Sequence, residues 1–457
     1  MPSKFNFMFK ALCMMIVSTC LTLSINPPAY ARSQAEDIDS MAREFVDLLV
    51  KEEFESATGL FDQTMKNAMP VEKLQQTWTG LLGQVGRFKK QIGTRDQKVQ
   101  QYDIIFVTCE FEQATLDVKV VFDSAKKIAG LFFLPSQQTF TYDAPDYAKS
   151  DVYTEKEVVV GTGKWSLPGT LTVPRGKGPF PAVILVHGSG PQDRDETIGP
   201  NKPFRDLAWG LATRGVAVLR YEKRTKQYTA EMANMKDKIT VEEETIADVL
   251  EAVSLLLNTP EVDIKRIIVA GHSLGGMLIP KIGLRDERIS GYIILAGTTR
   301  PMEDVIYEQF EYIFNLDDRL TEDEQKQLEE LRNQVKTAKS AELSEKTPSS
   351  LLPLGIPATY WLDLRDYDPA KEATKLKKPL LILQGERDYQ VTMKDYKRWQ
   401  ESLASHDNVQ MKLFPSLNHL FMQGEGKSGP SEYEKPAHVN LSVIDTIVEW
   451  IRGLGDE

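Results

Sequence analysis

The period of the apolar positions changes along the chain, and each change marks a different kind of element. From residue 36 they recur at helical spacing: Met41, Phe45, Leu48 and Leu49, then Phe54, Ala57, Leu60 and Phe61, then Leu74, Trp78, Leu81 and Leu82. Strand-like runs follow at Gln100 to Glu112, Ala114 to Phe122 and Lys127 to Leu134. In the second run Leu116, Val118 and Val120 alternate with Asp117 and Lys119, which predicts a sheet with one face on a core and the other toward water. Residues 36–134 therefore read as a small α+β unit, and the polar stretch 135–151 as a linker. From 152 to 457 short apolar runs alternate with helical segments. Val158 to Val160 and Gly169 to Val173 suggest an opening antiparallel pair. Ala182 to Val186, Val216 to Arg220, Ile267 to Ala270, Tyr292 to Ala296 and Leu380 to Leu383 have the continuous apolar character of buried parallel strands. Phe204 to Thr213 and Val241 to Leu257 supply helices between them. The fold class expected is α/β, a mostly parallel sheet covered by helices on both faces.

Residues 301–348 break this alternation. They are charged and helical. Thr321-Glu322-Asp323-Glu324 is a capping box, and Leu328, Leu331, Val335 and Ala338 follow on one helical face. The segment is either a helical cap inserted over a site or a solvated excursion. At the other extreme of the chain, residues 1–31 have the form of a secretory leader. Lys4 and Lys10 precede an apolar run beginning at Ala11-Leu12, and Asn26-Pro27-Pro28 breaks it ahead of the small-residue site Ala29-Tyr30-Ala31. Cleavage near Ala31 would put the mature chain outside the cytoplasm, secreted or in the cell envelope. The apolar run is short for a membrane span, and Thr19 before Cys20 suits lipid attachment poorly. Cys13 and Cys20 lie in this leader, so only Cys109 remains and no internal disulfide can form in the mature chain. Its apolar neighbours mark Cys109 as a core thiol. The formal charge of −11, with no basic run, argues against nucleic acid as a partner.

The densest chemical signal is Gly271-His272-Ser273-Leu274-Gly275-Gly276, between an apolar strand and a helix. A serine on such a strand-to-helix turn is exposed as a nucleophile, and the glycines let backbone pack closely around it. A serine hydroxyl needs a base, and the base an orienting carboxylate, in the chain order Ser, acid, His for this architecture. Gln384-Gly385-Glu386-Arg387-Asp388 offers two carboxylates, and Asp388 is preferred because Glu386 lies nearer the strand end. His419, in Asn418-His419 after the strand Val409 to Phe414, is the base; His406 and His438 read as solvated and as a surface or capping residue. An oxyanion hole is expected from the backbone N–H groups of Ser189, in His187-Gly188-Ser189-Gly190, and of Leu274. His187 reads as a structural hydrogen-bonder, His272 as pointing away from the nucleophile, and Asp193-Arg194-Asp195-Glu196 as a loop held by internal ion pairs. No histidine pair with a carboxylate stands at zinc-ligand spacing, and this chemistry calls for no metal or cofactor.

With these motifs, residues 152–457 resemble the α/β-hydrolase superfamily, in particular secreted bacterial carboxylesterases and the related serine aminopeptidase group. Residues 36–134 resemble the α+β domain of unknown function, of nuclear-transport-factor-like type, that precedes such hydrolases. The resemblance implies a Ser273–His419–Asp388 triad and an acyl-enzyme intermediate. Three functions stand open: cleavage of a small-molecule carboxylic ester, cleavage of a short peptide or another acyl transfer by the same residues, and non-catalytic binding. The intact set of three argues against the last.

Overall fold

The computed structural model describes residues 29–99, 102–112, 114–136, 142–235 and 238–454. Most of the expected leader, residues 1–28, lies outside the described residues. Among the described residues no helix is long and apolar enough to cross a membrane. The chain divides into two compact units near residue 140.

The N-terminal unit packs helices Ala29–Val50, Phe54–Gly59, Gln63–Ala68 and Val71–Val85 on an antiparallel sheet. Its strands β1 (Phe88–Val99), β2 (Tyr102–Phe111), β3 (Thr115–Phe122) and β4 (Ile128–Pro135) lie side by side in chain order. Phe45, Leu49, Phe61 and Trp78 pack against Val107, Cys109, Val118 and Val120, so the helical stripes and alternating strands converge on one core. Cys109 is buried there, and desolvation pushes its thiol up to about 12. The sequence pattern missed β1, which is polar, carries two register irregularities and forms the edge of the sheet. The polar face of β3 is also drier than its alternation suggests. Asp117 is fully buried, accepting hydrogen bonds from Thr108 Oγ1 (2.7 Å), Ser136 Oγ (2.9 Å) and Arg95 Nη2 (3.1 Å). On that same face Arg95, Phe106, Lys119 and Phe132 stand opposite one another across the four strands, alternating cation and ring.

The second unit is an eight-stranded sheet in the order β12-β11-β10-β9-β7-β8-β6-β5. Its strands are β5 (Tyr153–Val160), β6 (Leu167–Pro174), β7 (Phe180–Val186), β8 (Ala217–Tyr221), β9 (Val262–His272), β10 (Gly291–Leu295), β11 (Leu380–Gly385) and β12 (Val409–Phe414). β5 and β6 form the antiparallel edge, and β7 to β12 run parallel. Separate apolar cores cover the two faces. One contains Val249, Val253, Met277, Leu278 and Trp399; the other contains Phe204, Leu207, Ile444, Ile447 and Trp450. Burial on both faces is the reason these strands read as continuous apolar runs.

Between β10 and β11 the chain forms helices Met302–Phe314 and Glu322–Lys339, the second opened by the Thr321–Glu324 capping box. Leu331 and Ala338 join Ile306, Leu352 and Trp361 in a small core of their own. The segment is fastened where it leaves β10. Asp395, fully buried, accepts from the Thr298 hydroxyl, the Thr299 N–H and hydroxyl, and Arg300 Nε and Nη2 at 2.8–3.2 Å. Arg300 continues to Glu308 of the first helix at 2.6 Å. Removing this carboxylate leaves two hydroxyls without their acceptor and the guanidinium with Glu308 alone. Asp395→Ala is therefore expected to lower stability by roughly 3–5 kcal/mol, measured by urea denaturation.

Candidate active site

Ser273 sits between β9 and helix Leu274–Gly283 with φ 53° and ψ −114°, a left-handed conformation that costs a non-glycine residue about 1–3 kcal/mol. The surroundings enforce it. The Ser273 N–H donates to the Leu295 carbonyl at 2.9 Å, and the Ser273 carbonyl accepts from the Met277 N–H at 2.9 Å. The flanking glycines have no room for a side chain. A Cβ on Gly271 would fall 2.3 Å from the Gly275 backbone, one on Gly275 2.4 Å from the Val186 carbonyl, and one on Gly276 2.9 Å from the Gly297 Cα. The elbow is thus wedged between the ends of β7 and β10.

The acid and base come from the next strands along. Asp388 follows β11 and is buried. Its Oδ1 accepts from the N–H groups of Gln390 (2.8 Å) and Val391 (2.9 Å), and its Oδ2 from Gln384 Nε2 (3.2 Å). Oδ2 also lies 2.7 Å from His419 Nδ1, which leaves Nε2 of that ring for proton exchange. Glu386, the other carboxylate weighed, is exposed. His419 follows β12 in a loop shaped by Asn418, whose Oδ1 accepts from the Leu420 and Met422 N–H groups and whose Nδ2 donates to Glu432.

Two charged residues to which the sequence pattern gave no part in the site, Glu196 and Lys223, complete the setting. Glu196 is fully buried, takes the Gly188 N–H on Oε1 at 2.6 Å and places Oε2 2.9 Å from His272 Nδ1, an ion contact without hydrogen-bond alignment. His272 in turn meets the His419 carbonyl through Nε2 at 3.0 Å, with the two rings 4.6 Å apart. Lys223, also buried, donates to the Gly188 carbonyl at 2.7 Å and to Glu244 at 2.5 Å. The expected internal pairing of Asp193 to Glu196 is corrected here. Arg194 reaches Glu157 and Glu222, Asp195 reaches Arg220, Lys202 and Arg205, and Glu196 reaches His272, because the loop packs into the sheet end rather than onto itself. His187 bonds the Asp193 carbonyl at 3.0 Å, and burial lowers it to about 4. His438, read as a surface or capping residue, is half-buried with its ring on Asp206, and His406 meets the Thr374 carbonyl. Of the aromatics between β10 and β11, Phe314 is buried, Trp361 packs in the small core shared with the two helices and Tyr312 stacks on Tyr389 beside Asp388.

A parallel sheet with a strained serine after one strand, and a buried Asp–His pair after the last two, defines an α/β-hydrolase. The profile of the serine aminopeptidase S33 family matches residues 179–426, and that of a protein family of unknown function, DUF3887, matches residues 42–131. Esterase EstD of Thermotoga maritima is 41% identical over 413 residues, 90% of this chain and 95% of that protein. Among solved structures, the chain is similar to Est1E of Butyrivibrio proteoclasticus (15% identity, 66% of this chain and 99% of that one, TM-score 0.42). It is also similar to an esterase of Pyrococcus furiosus (18% identity, 69% and 95%, TM-score 0.40). The chain belongs to the serine aminopeptidase S33 family and is a carboxylesterase-like hydrolase.

The Glu196–His272 pair has a pH signature. Burial alone would lower His272, but the Glu196 carboxylate outweighs it and holds the imidazole above its ordinary 6.5; burial would raise Glu196, but His272 holds it below 4.5. Both groups are charged between those values, so the pair's stabilisation is complete there. It is lost as pH rises through the raised His272 value or falls through the lowered Glu196 value. Glu196→Gln is expected to lower stability by roughly 3 kcal/mol near pH 6, with the gap to wild type narrowing in alkali; thermal melts across pH measure it.

Proposed function

We propose that this protein is a serine carboxylesterase whose acyl-enzyme forms on Ser273. The observation that carries the reading is the buried Asp388–His419 hydrogen bond, joined through the His419 carbonyl to His272, the residue before a serine held in a conformation that serine does not adopt freely. His419 Nε2 takes the Ser273 proton as Oγ bonds to the ester carbonyl carbon, and the carbonyl electron pair moves onto oxygen. That oxyanion is held by the backbone N–H groups of Ser189 and Leu274. The Gly188 N–H is already committed to Glu196, so the next amide of that loop is the one left to donate. Leu274 opens a helix, where an unpaired N–H and the helix dipole both favour negative charge. Collapse breaks the bond to the alcohol, which leaves with the proton from His419. Water then repeats the attack through the same base, releasing the acid and restoring Ser273. Asp388 holds the imidazole tautomer and stabilises the imidazolium throughout.

The substrate is a small-molecule ester. The esterase similar over nearly the whole chain supports ester over amide, and an alcohol is the better leaving group. The helical segment 301–348, tied down at Asp395 and stacked through Tyr312 on Tyr389, acts as the cap over the acyl pocket. The mature chain works outside the cytoplasm after cleavage near Ala31, as the charged, apolar and small-residue succession of residues 1–31 suggests.

Wild type is expected to hydrolyse p-nitrophenyl acetate and butyrate, and Ser273→Ala to lose at least about a thousandfold in kcat. A wild type inactive on esters but active on aminoacyl nitroanilides would replace the ester by a peptide, and an active Ser273→Ala would remove the nucleophile. Export is checked separately: protein from the extracytoplasmic fraction should begin at Arg32 by N-terminal sequencing.

A further inference from the structure

Lysine is almost never fully buried unless it is held by partners that need its charge. Lys223, 2% exposed, has two of them: Glu244 Oε1 at 2.5 Å and the Gly188 carbonyl at 2.7 Å. The other oxygen of Glu244 is taken by the Tyr360 hydroxyl at 2.6 Å. Glu244 itself lies in a π-helical turn, Glu242–Ile246, a distortion that recurs at functional sites and here brings the carboxylate to the ammonium. An ion pair alone would add little that a well-packed apolar pair could not. The contact that a purely structural pair does not require is the one to Gly188.

That carbonyl belongs to the Gly188–Ser189 peptide bond, and the N–H of the same peptide unit is the Ser189 N–H. Resonance couples the two ends. A cation on the oxygen draws the nitrogen lone pair further into the C–N bond and toward oxygen, which leaves the N–H a stronger donor, as in any polarised hydrogen-bond chain. The preceding amide is fixed at the same time, since Glu196 holds the Gly188 N–H at 2.6 Å. Gly188 is therefore clamped by an anion on its N–H and a cation on its carbonyl.

We infer that Lys223 is a positioning residue of the oxyanion hole, whose ammonium polarises the Gly188–Ser189 peptide so that the Ser189 N–H binds negative charge more strongly, with Glu244 and Tyr360 holding it in place. This rests on the reading of Ser273 as nucleophile and Ser189 as donor. Its effect appears as the ester oxygen becomes anionic, so it acts on the transition state and hardly on the bound ester.

The test uses Lys223→Met and the double variant Lys223→Met/Glu244→Gln, which removes both charges and leaves no buried carboxylate without its cation. Three quantities are measured beside wild type and Ser273→Ala: kcat and KM on p-nitrophenyl butyrate, the melting temperature, and the affinity for a trifluoromethyl alkyl ketone. The ketone adds to Ser273 as a hemiketal whose oxyanion occupies the hole. A folded variant should lose roughly tenfold or more in kcat, short of the loss on deleting a donor outright, with KM within about twofold. The ketone affinity should fall by the same factor as kcat. Unchanged kcat and ketone affinity in either folded variant, with Ser273→Ala inactive, would overturn the role of Lys223 and leave the nucleophile standing. A fall in kcat without a parallel loss of ketone affinity would overturn it too, as a general loosening of the loop. An active Ser273→Ala would remove the reading on which the inference stands.

Discussion

Everything at this site depends on how closely three stretches of bare backbone approach one another. Gly271, Gly275 and Gly276 let the turn after β9 lie against the ends of β7 and β10 at distances that no β-carbon could share. With that wedge in place, Ser273 has nowhere to go but the left-handed region, and its side chain is lifted out of the strand-to-helix turn. The strain is carried by the two cores that grip the sheet on its opposite faces. The conformation of Ser273 is thus a property of packing density as much as of chemistry.

Around this wedge the polar groups hold one another in fixed positions. Asp388 is anchored by backbone and amide donors before it touches His419, so the imidazole inherits its orientation from β11. Glu196 ties the loop after β7 to His272 beside the serine, and His272 ties that turn to the His419 carbonyl. The Ser273 turn, the Gly188 loop and the His419 loop are fastened to one another through two buried side chains. Preorganisation of this kind lets dipoles face developing charge without first having to turn.

Much of this was legible in the sequence, for a physical reason. Strands buried on both faces must be apolar without interruption, and β7 to β11 announced themselves in that way. The Gly-x-Ser-x-Gly run lies at the end of one such strand and Asp388 just beyond another, while Asn418-His419 follows the half-exposed edge strand β12, so local pattern was enough to mark them as candidates. The edge strand β1 was missed because its residues, Phe88 to Val99, are mostly polar and its register slips, leaving no alternation to read. Glu196 and Lys223 were missed for a different reason. Each looks like an ordinary charge in a charged loop, and only the folded sheet reveals that their partners are Gly188, His272 and Glu244. The same holds for Asp117, whose alternation marked it for solvent while Thr108, Ser136 and Arg95 enclose it.

The state of Cys109 has a bearing on where this fold can be assembled. It is the one cysteine among the described residues, it lies inside the core of the N-terminal unit, and its thiol stays protonated far above neutrality. Nothing in the described fold waits on an oxidant, and no thiolate is on offer to one. The described fold is therefore open to a reducing compartment as much as to an oxidising one, since no bond within it has to be made by disulfide-forming machinery.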